Sequence, residues 1–515
     1  MSSTRFVAGV RTPRASTPGA VRRVVLATEG TYPFGGGGVG TWCHQLCGGL
    51  RGFSFTVLAV TGTPHATWQY ERLGAVRHVM QVPLWPGEEP AVFLTPGPYA
   101  RTLRRRWRTT TEVVLRDFVP PLRAFLREVF EGGGDVDEVL GSLVEMGLYL
   151  RTYDFKATMR ERVVWEAFQE AAQSAQRVTS PASGELALDE LTICARWFYN
   201  MMLPLAAHIG DAELFHATVS ASCALPGIMA RAVEGVPFLL TEHGVYLRER
   251  YIAVSSSGYA DLQKRFLIGL AAAVSRACYR TADLVTSVAS FNKRWQIPWG
   301  APADRVRVVY NGVDTKRFRP GIAAANPDHR PTLVAAAHVY PLKDVETMIR
   351  AVGVARARVP NVRLHVYGSK SVDPGYVAKC EAIIKELDLS DHVELRGLHP
   401  NPSQIFWGAD LSVLSSISEG FPYSILEAMA SGVPCVATDV GGVREAVGDT
   451  GVVVPPRHPE ALGTAVADLL LDNDRRRDLA RGALDRVVSE FTLQHQLEGY
   501  QSIYEELTAV RDKEP

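Results

Sequence analysis

The chain has 515 residues, 46% hydrophobic and 21% charged, which fits a folded globular protein of two or three domains. Its 55 Lys and Arg balance 55 Asp and Glu, so no global field recruits nucleic acid or an anionic membrane, and any such contact must be local. No apolar run reaches the roughly 18 residues a membrane span needs. The seven scattered cysteines lack CxxC spacing, which argues against a disulfide framework or zinc site and for a reducing, cytoplasmic setting.

Residues 1–21 are basic and rich in Ser and Thr, without the apolar core of a secretory signal, and read as a disordered tail. "VVLATEG" (Val24–Gly30) then predicts a strand, "FGGGGVG" (Phe34–Gly40) a glycine loop, "VGTWCHQLCGGL" a helix and "FTVLAV" a second strand. This is the opening of a βαβ unit. Cys43 and Cys47, one turn apart, are read as helix packing. From about Tyr99 to about Ile209 helical periodicity replaces the alternation and predicts a helical insertion. Its arginine cluster "RTLRRRWR" (Arg101–Arg108) reads as a solvated helix face, with peripheral contact to an anionic membrane, polymer or synthase complex as the alternative. Asp135 and Asp137 open an amphipathic helix, where capping explains them, and no metal is expected.

Alternation resumes with "ELFHATVS", "VPFLLTEHG", "ADLVTSV" and "VRVVYNG" as strands. The turn-rich "NGVDTKRFRPGIAAANPDHRP" reads as the interdomain linker. "TLVAAAHV", "VRLHVYGS", "HVELRGL", "LSVLSSI", "PCVATDV" and "GVVVPP" follow as strands separated mostly by helices. Such alternation means parallel sheets with right-handed crossovers. The expected architecture is α/β: two Rossmann-like doubly wound domains, residues 22–315 and 316–491, facing a cleft. Residues 492–515 form a C-terminal helix and tail crossing back to the first domain.

The densest chemistry lies in "LSVLSSISEGFPYSILEAMA". Here a strand ends in the turn "SEGFP" and a helix begins with Pro422 at its first position. Free N–H groups of such a first turn make an anion site, and phosphate is the obvious anion. Glu419 stands on its rim and Glu427 just over one turn along. Carboxylates prefer hydroxyl donors to phosphate, so a nucleotide sugar suits both; the alternative is that Glu427 only pairs with a neighbouring base. "FGGGGVG" also lets backbone approach a phosphate, but Cys43 stands where a dinucleotide fingerprint wants its last glycine. His243 ends a predicted strand, where a lone histidine is often a structural residue. Arg248 and Arg250 follow it, either solvated or contacting an anionic acceptor.

"EGFPYSILEAMASGVPCVATDVGGVREAV" closely resembles the E-x7-E segment of glycosyltransferase family 4, retaining nucleotide-sugar enzymes of GT-B fold. "LLTEHGVYLRERYI", "SFNKRWQIPWGAPADRVRVVYNGVDTKRF" and "YPLKDVETMIRA" resemble the PelF-type bacterial exopolysaccharide branch, whose N-terminal domain is enlarged. The likeness spans roughly Val24 to Thr492. It implies that Glu419 contacts the donor sugar, Glu427 the ribose hydroxyls and Lys343 the diphosphate, with Gly420, Phe421, Pro422, Tyr423 and Ser424 forming the phosphate turn. It further implies that His243 orients the transferred sugar and that the loop of Gly37, Gly38 and Gly40 covers the phosphates. No cofactor is implied.

One departure stands out. His338, preceded by Ala337, replaces the family's arginine five residues before the lysine. A fixed bidentate clamp is thereby exchanged for a single titratable donor, and a protonated His338 would still help the leaving diphosphate. The resemblance implies transfer of a hexose, UDP-glucose favoured, to a glycan or small-molecule hydroxyl. A natural-product glycosyltransferase or pseudo-glycosyltransferase, and a non-catalytic nucleotide-sugar-binding subunit, are the alternatives.

Overall fold

A computed structural model describes residues 21–85, 90–94, 97–179, 186–321 and 330–511. The expected disordered tail lies outside the described residues except for Val21. The chain divides into two units. The N-terminal unit runs to Ser287 and takes in Lys293–Arg307 and the chain from Tyr500 onward; the C-terminal unit is Val288–Asn292 with Val308–Gly499.

The N-terminal unit holds a seven-stranded sheet: β1 (Arg22–Glu29), β2 (Phe53–Thr61), β3 (Val76–Pro83), β4 (Leu214–Ala217), β5 (Phe238–Glu242), β6 (Leu284–Ser287) and β7 (Val306–Val308). Their spatial order is β3-β2-β1-β4-β5-β6-β7, and β1 pairs in parallel with both β2 and β4. β4 and β5 are buried along their whole length, as expected of strands covered on both faces. The edge strand β3, which the sequence reading did not pick out, is mostly half-exposed, so it lacks the apolar run that marks its neighbours.

Between β3 and β4 the chain is helical, with helices Tyr99–Arg108, Val119–Glu131, Val136–Thr152, Arg162–Thr179 and Leu188–Met201 among others. Pro120 and Pro121 open the second of these, and the turn just before them, Val114–Phe118, is widened to π geometry. Prolines supply no N–H to the preceding carbonyls and crowd them, and widening relieves both. The helices close on an aromatic cluster in which Phe130 meets Phe168 edge-on at 5.4 Å and lies 5.8 Å from Phe266. Asp135 caps its helix by accepting the Asp137 N–H at 3.1 Å, and Asp137 itself pairs with Arg280 at 2.8 Å.

The C-terminal unit holds β8 (Thr332–Ala336), β9 (Arg363–Tyr367), β10 (Val393–Gly397), β11 (Leu411–Leu414), β12 (Cys435–Thr438) and β13 (Val452–Val454). Their order is β10-β9-β8-β11-β12-β13, again with parallel pairs. In both sheets the order reverses at one place, between β1 and β4 and between β8 and β11. Connections leave such a point in opposite directions and open a crevice beyond the carboxyl ends of the two strands, where ligands of doubly wound folds bind. All seven cysteines are buried in packing, Cys43 and Cys47 included.

Candidate functional site

The β8/β11 switch point gathers the C-terminal unit's chemistry. After β8 the chain passes His338 and makes a short tight turn, Pro341–Lys343. Asp344 then takes a left-handed conformation (φ 45°, ψ 50°) and caps the helix Val345–Arg356 by accepting the Thr347 N–H. After β11, Ser415 Oγ donates to the carbonyls of Lys343 and Asp344 at 2.9 and 2.8 Å. The Ile417 N–H donates to the Leu342 carbonyl at 2.9 Å. These bonds tie the two strand ends together and fix where Lys343 projects.

Lys343 Nζ donates to Glu419 Oε1 at 2.5 Å, and Ser416 Oγ donates to the same oxygen at 2.6 Å. The side chains are 20% and 10% exposed, so both are reachable yet largely dry. Sequence reasoning assigned them to different parts of one ligand; the structure brings them into direct contact. The turn behind Glu419 is held from below by glycines that the motif reading passed over. Gly442 N–H donates to the Gly420 carbonyl at 2.7 Å, and a Cβ on Gly441 (φ +57°) would lie 1.8 Å from the Glu419 carbonyl oxygen. Their signal was the "GG" that closes "ATDVGG".

The helix Tyr423–Ala430 begins where the spacing predicts, but Pro422 is its N-cap with extended backbone (φ −76°, ψ 124°), not its first residue. Its N-cap side chain makes no capping bond and its first turn holds no acid; the N-terminal end of a helix favours an anion. Phe421 is buried, its ring 4.9 Å from Tyr310 and its carbonyl accepting from Asn311 Nδ2 at 2.8 Å; it anchors the turn. Tyr423 OH donates to Gln496 Oε1 at 3.3 Å, and Ser424 is half-buried beside it. Burial pushes the Glu427 carboxyl up to about 7, opposed by the Arg317 guanidinium.

His338 is held as a hydrogen-bond acceptor on one side of its ring. Its Nδ1 accepts the Ser369 N–H at 2.9 Å, and burial, then the nearby Lys343, push its pKa below the usual imidazole value. It is therefore neutral with its proton on Nε2, a single uncharged donor.

In the N-terminal unit, the helix Gly38–Gly49 opens on Gly37 (φ 103°), again without a side-chain cap or an acid in the first turn. Gly36 and Gly37 face open space, whereas a Cβ on Gly40 would collide with Tyr70 OH at 2.3 Å and the Gly35 carbonyl at 2.6 Å. Gly40 thus serves close packing, Gly36 and Gly37 present open backbone, and Gly38 is exposed. His243 follows β5 and lies edge-on to Trp42 at 4.6 Å. Burial pushes its pKa down to about 3, and its Nε2 is without a hydrogen-bond partner.

Just before it, Glu242 is fully buried. It accepts from Ser220 Oγ and Tyr279 OH at 2.7 Å each and from Gln296 Nε2 at 3.0 Å, and burial raises its pKa. This carboxyl pins the turn that carries His243. An acid inside the apolar strand "FLLTE" was the available signal. Arg250 stacks on Tyr246 at 4.9 Å, while Arg248 is half-buried in the same helix, Tyr246–Ser255. Of the arginine cluster, Arg105 donates to the Leu150 and Tyr153 carbonyls and Arg106 lies 3.8 Å from Asp154. Arg101, Arg104 and Arg108 are exposed.

Comparison with known proteins supplies the context. Residues 22–304 match the family described as a domain of unknown function, DUF3492, and residues 322–486 match glycosyl transferases group 1. A D-inositol 3-phosphate glycosyltransferase of Paenarthrobacter aurescens is 33% identical over 36% of this chain and 47% of its own length. An MMP alpha-(1->4)-mannosyltransferase of Mycolicibacterium hassiacum is 27% identical over 75% of this chain and 94% of its own. The match covers about half the length of several of these curated relatives. A sucrose-phosphate synthase of Thermosynechococcus elongatus shares the fold, with a TM-score of 0.60 at 18% identity over 95% of this chain and 100% of that one. A glycosyltransferase of Rickettsia africae does likewise, with a TM-score of 0.53 at 14% identity over 94% and 98%. Two parallel-sheet α/β units of seven and six strands are the GT-B fold.

Proposed function

From a chain that belongs to the DUF3492 family and carries a glycosyl transferases group 1 domain, we propose a retaining glycosyltransferase that moves a hexose from a nucleotide diphosphate sugar to an acceptor hydroxyl. The observation that carries this reading is the Lys343–Glu419–Ser416 cluster beside an uncapped helix N-terminus at the β8/β11 switch point. A diphosphate entering there exchanges the Glu419 carboxylate for its own oxygens as partner of Lys343. The released Glu419 then accepts hydrogen bonds from the sugar's hydroxyls. Glu427, deeper along the helix, accepts from the ribose diol. The charge that develops on the departing diphosphate meets Lys343 and the helix N-terminus, both already in place, which is the preorganised electrostatics that lowers such barriers.

His243, held neutral by burial, acts as a hydrogen-bonding group that orients the transferred sugar and not as a proton donor. The departing phosphate oxygen takes the acceptor's proton on the same face, so configuration is retained without a separate protein base. UDP-glucose is the donor favoured by the likeness to PelF-type exopolysaccharide enzymes. GDP-mannose is the next to try, because a matched relative is named as a GDP-mannose-dependent mannosyltransferase.

The test is nucleotide release from a panel of UDP-, GDP-, ADP- and dTDP-sugars, with Glu419→Gln alongside and thermal shift read on the same samples. Release from one donor, lost in the variant, is the expected result. A flat panel in both readouts would refute the transferase, and donor-dependent stabilisation without turnover would leave a nucleotide-sugar-binding subunit.

A further inference from the structure

The helix Tyr99–Arg108 carries five arginines and no acid. Two of the arginines fasten it. Arg105 donates to the Leu150 carbonyl and, at 2.8 Å, to the Tyr153 carbonyl, and Arg106 lies 3.8 Å from Asp154. The other three, Arg101, Arg104 and Arg108, are exposed and make no hydrogen bond or ion pair with a described residue. Helical spacing puts Ala100, Arg104, Trp107 and Arg108 on one face, with Arg101 at its edge. Trp107 is 78% exposed, the most of any large apolar side chain among the described residues, and Tyr99 at the helix start is 68% exposed.

Nothing inside the fold accounts for this face. Arg101 sits in the first helical turn, where the helix dipole disfavours a cation, and arginines three and four positions apart repel one another. Trp107 leaves most of its ring in water. Between Tyr99 and Phe118 six arginines face two acids, and one of those acids, Asp117, already pairs with Arg116 at 2.7 Å. The patch is therefore cationic on a chain whose formal net charge is zero.

A partner that suits it offers closely spaced anions in front of an apolar layer. Lipid headgroup phosphates meet guanidinium groups, and an indole, apolar in body with one N–H, settles at the boundary between headgroups and acyl chains. A polyanion in water would satisfy the arginines and offer Trp107 no apolar layer. Among the described residues no helix is long and apolar enough to cross a membrane, so the contact is peripheral. We propose that the exposed face of the Tyr99–Arg108 helix docks the chain on an anionic lipid surface. The docking face stands independently of the transferase reading above.

The experiment sediments the full-length chain with vesicles of phosphatidylcholine alone and of phosphatidylcholine mixed with phosphatidylglycerol, over a salt series, with a single-stranded oligonucleotide as the competing polyanion. One variant combines Arg101→Gln, Arg104→Gln and Arg108→Gln; the other is Trp107→Ala. All four positions are exposed, and thermal melting on the same preparations should match the parent. The expected result is saturable binding to the anionic vesicles only, falling with salt as the charges are screened. Each arginine should be worth about fivefold, so the triple variant binds about a hundredfold more weakly. Trp107→Ala should weaken binding at every salt concentration and leave the slope with salt unchanged, since it removes no charge. Equal binding to neutral vesicles, no binding, or full binding by the triple variant, which keeps the basic residues 1–21, overturns the proposal. So does a preference for the oligonucleotide, or indifference to Trp107→Ala, since either result would mean that the face binds charge alone.

Discussion

Glu427→Gln isolates a single half-buried carboxyl. Burial raises its pKa from 4.5 to about 7 in the folded chain, so between those values the folded state binds a proton that the unfolded state has released. Stability therefore falls as pH rises through this window, by at most about 3.4 kcal/mol at 1.36 kcal/mol per unit. Glutamine cannot ionise and removes that slope. At pH 8 the variant should melt later than the parent, by about 5–10 °C for a unit of this size, and at pH 5 the two should coincide. Nucleotide binding works in the opposite direction. Ribose hydroxyls donate to the ionised carboxylate, so binding at pH 6 should release a proton. Calorimetry in two buffers of different ionisation enthalpy reads that release, and the variant should lose it together with about tenfold in UDP affinity. A melting difference independent of pH, or UDP binding without proton release, would refute the placement of this carboxyl in a ribose site.

Lys343→Ala should weaken UDP binding by about ten- to a hundredfold, the worth of a charge-assisted hydrogen bond, as read by calorimetry. Gly441→Ala forces a Cβ to 1.8 Å from the Glu419 carbonyl at a left-handed φ; unfolding in urea should show a loss of about 2–4 kcal/mol, and nucleotide release should fall with it. His338 is held below its usual pKa, so UDP affinity should show no histidine inflection between about pH 6 and 8. His338→Arg should raise that affinity through a fixed charge, yet cost about 1–3 kcal/mol of stability because the Ser369 N–H loses its acceptor.

The alternation of apolar strands and helices and the strand, turn and helix around Tyr423 were legible from the sequence by itself, because each is a local pattern, whereas Lys343 was picked out through the family resemblance alone. Periodicity, turn residues and helix ends act over a few positions, and they carry both sheets apart from the half-exposed edge strand β3. What only the tertiary structure decided involves partners far apart in the chain. Lys343 and Glu419 are 76 residues apart and become an ion pair because β8 and β11 are neighbours at the switch point. The tautomer of His338 is set by the Ser369 amide 31 residues on, and burial holds its pKa down. Pro422 left the helix it was assigned to, since the turn is fastened by Asn311 and Gly442. The packing of the Tyr32, His44 and Tyr70 rings was invisible too, its members drawn from a loop, a helix and a later turn. Residue type tells which chemistry a side chain is capable of; burial and long-range hydrogen bonds, which exist only once the sheets have formed, fix its charge and direction.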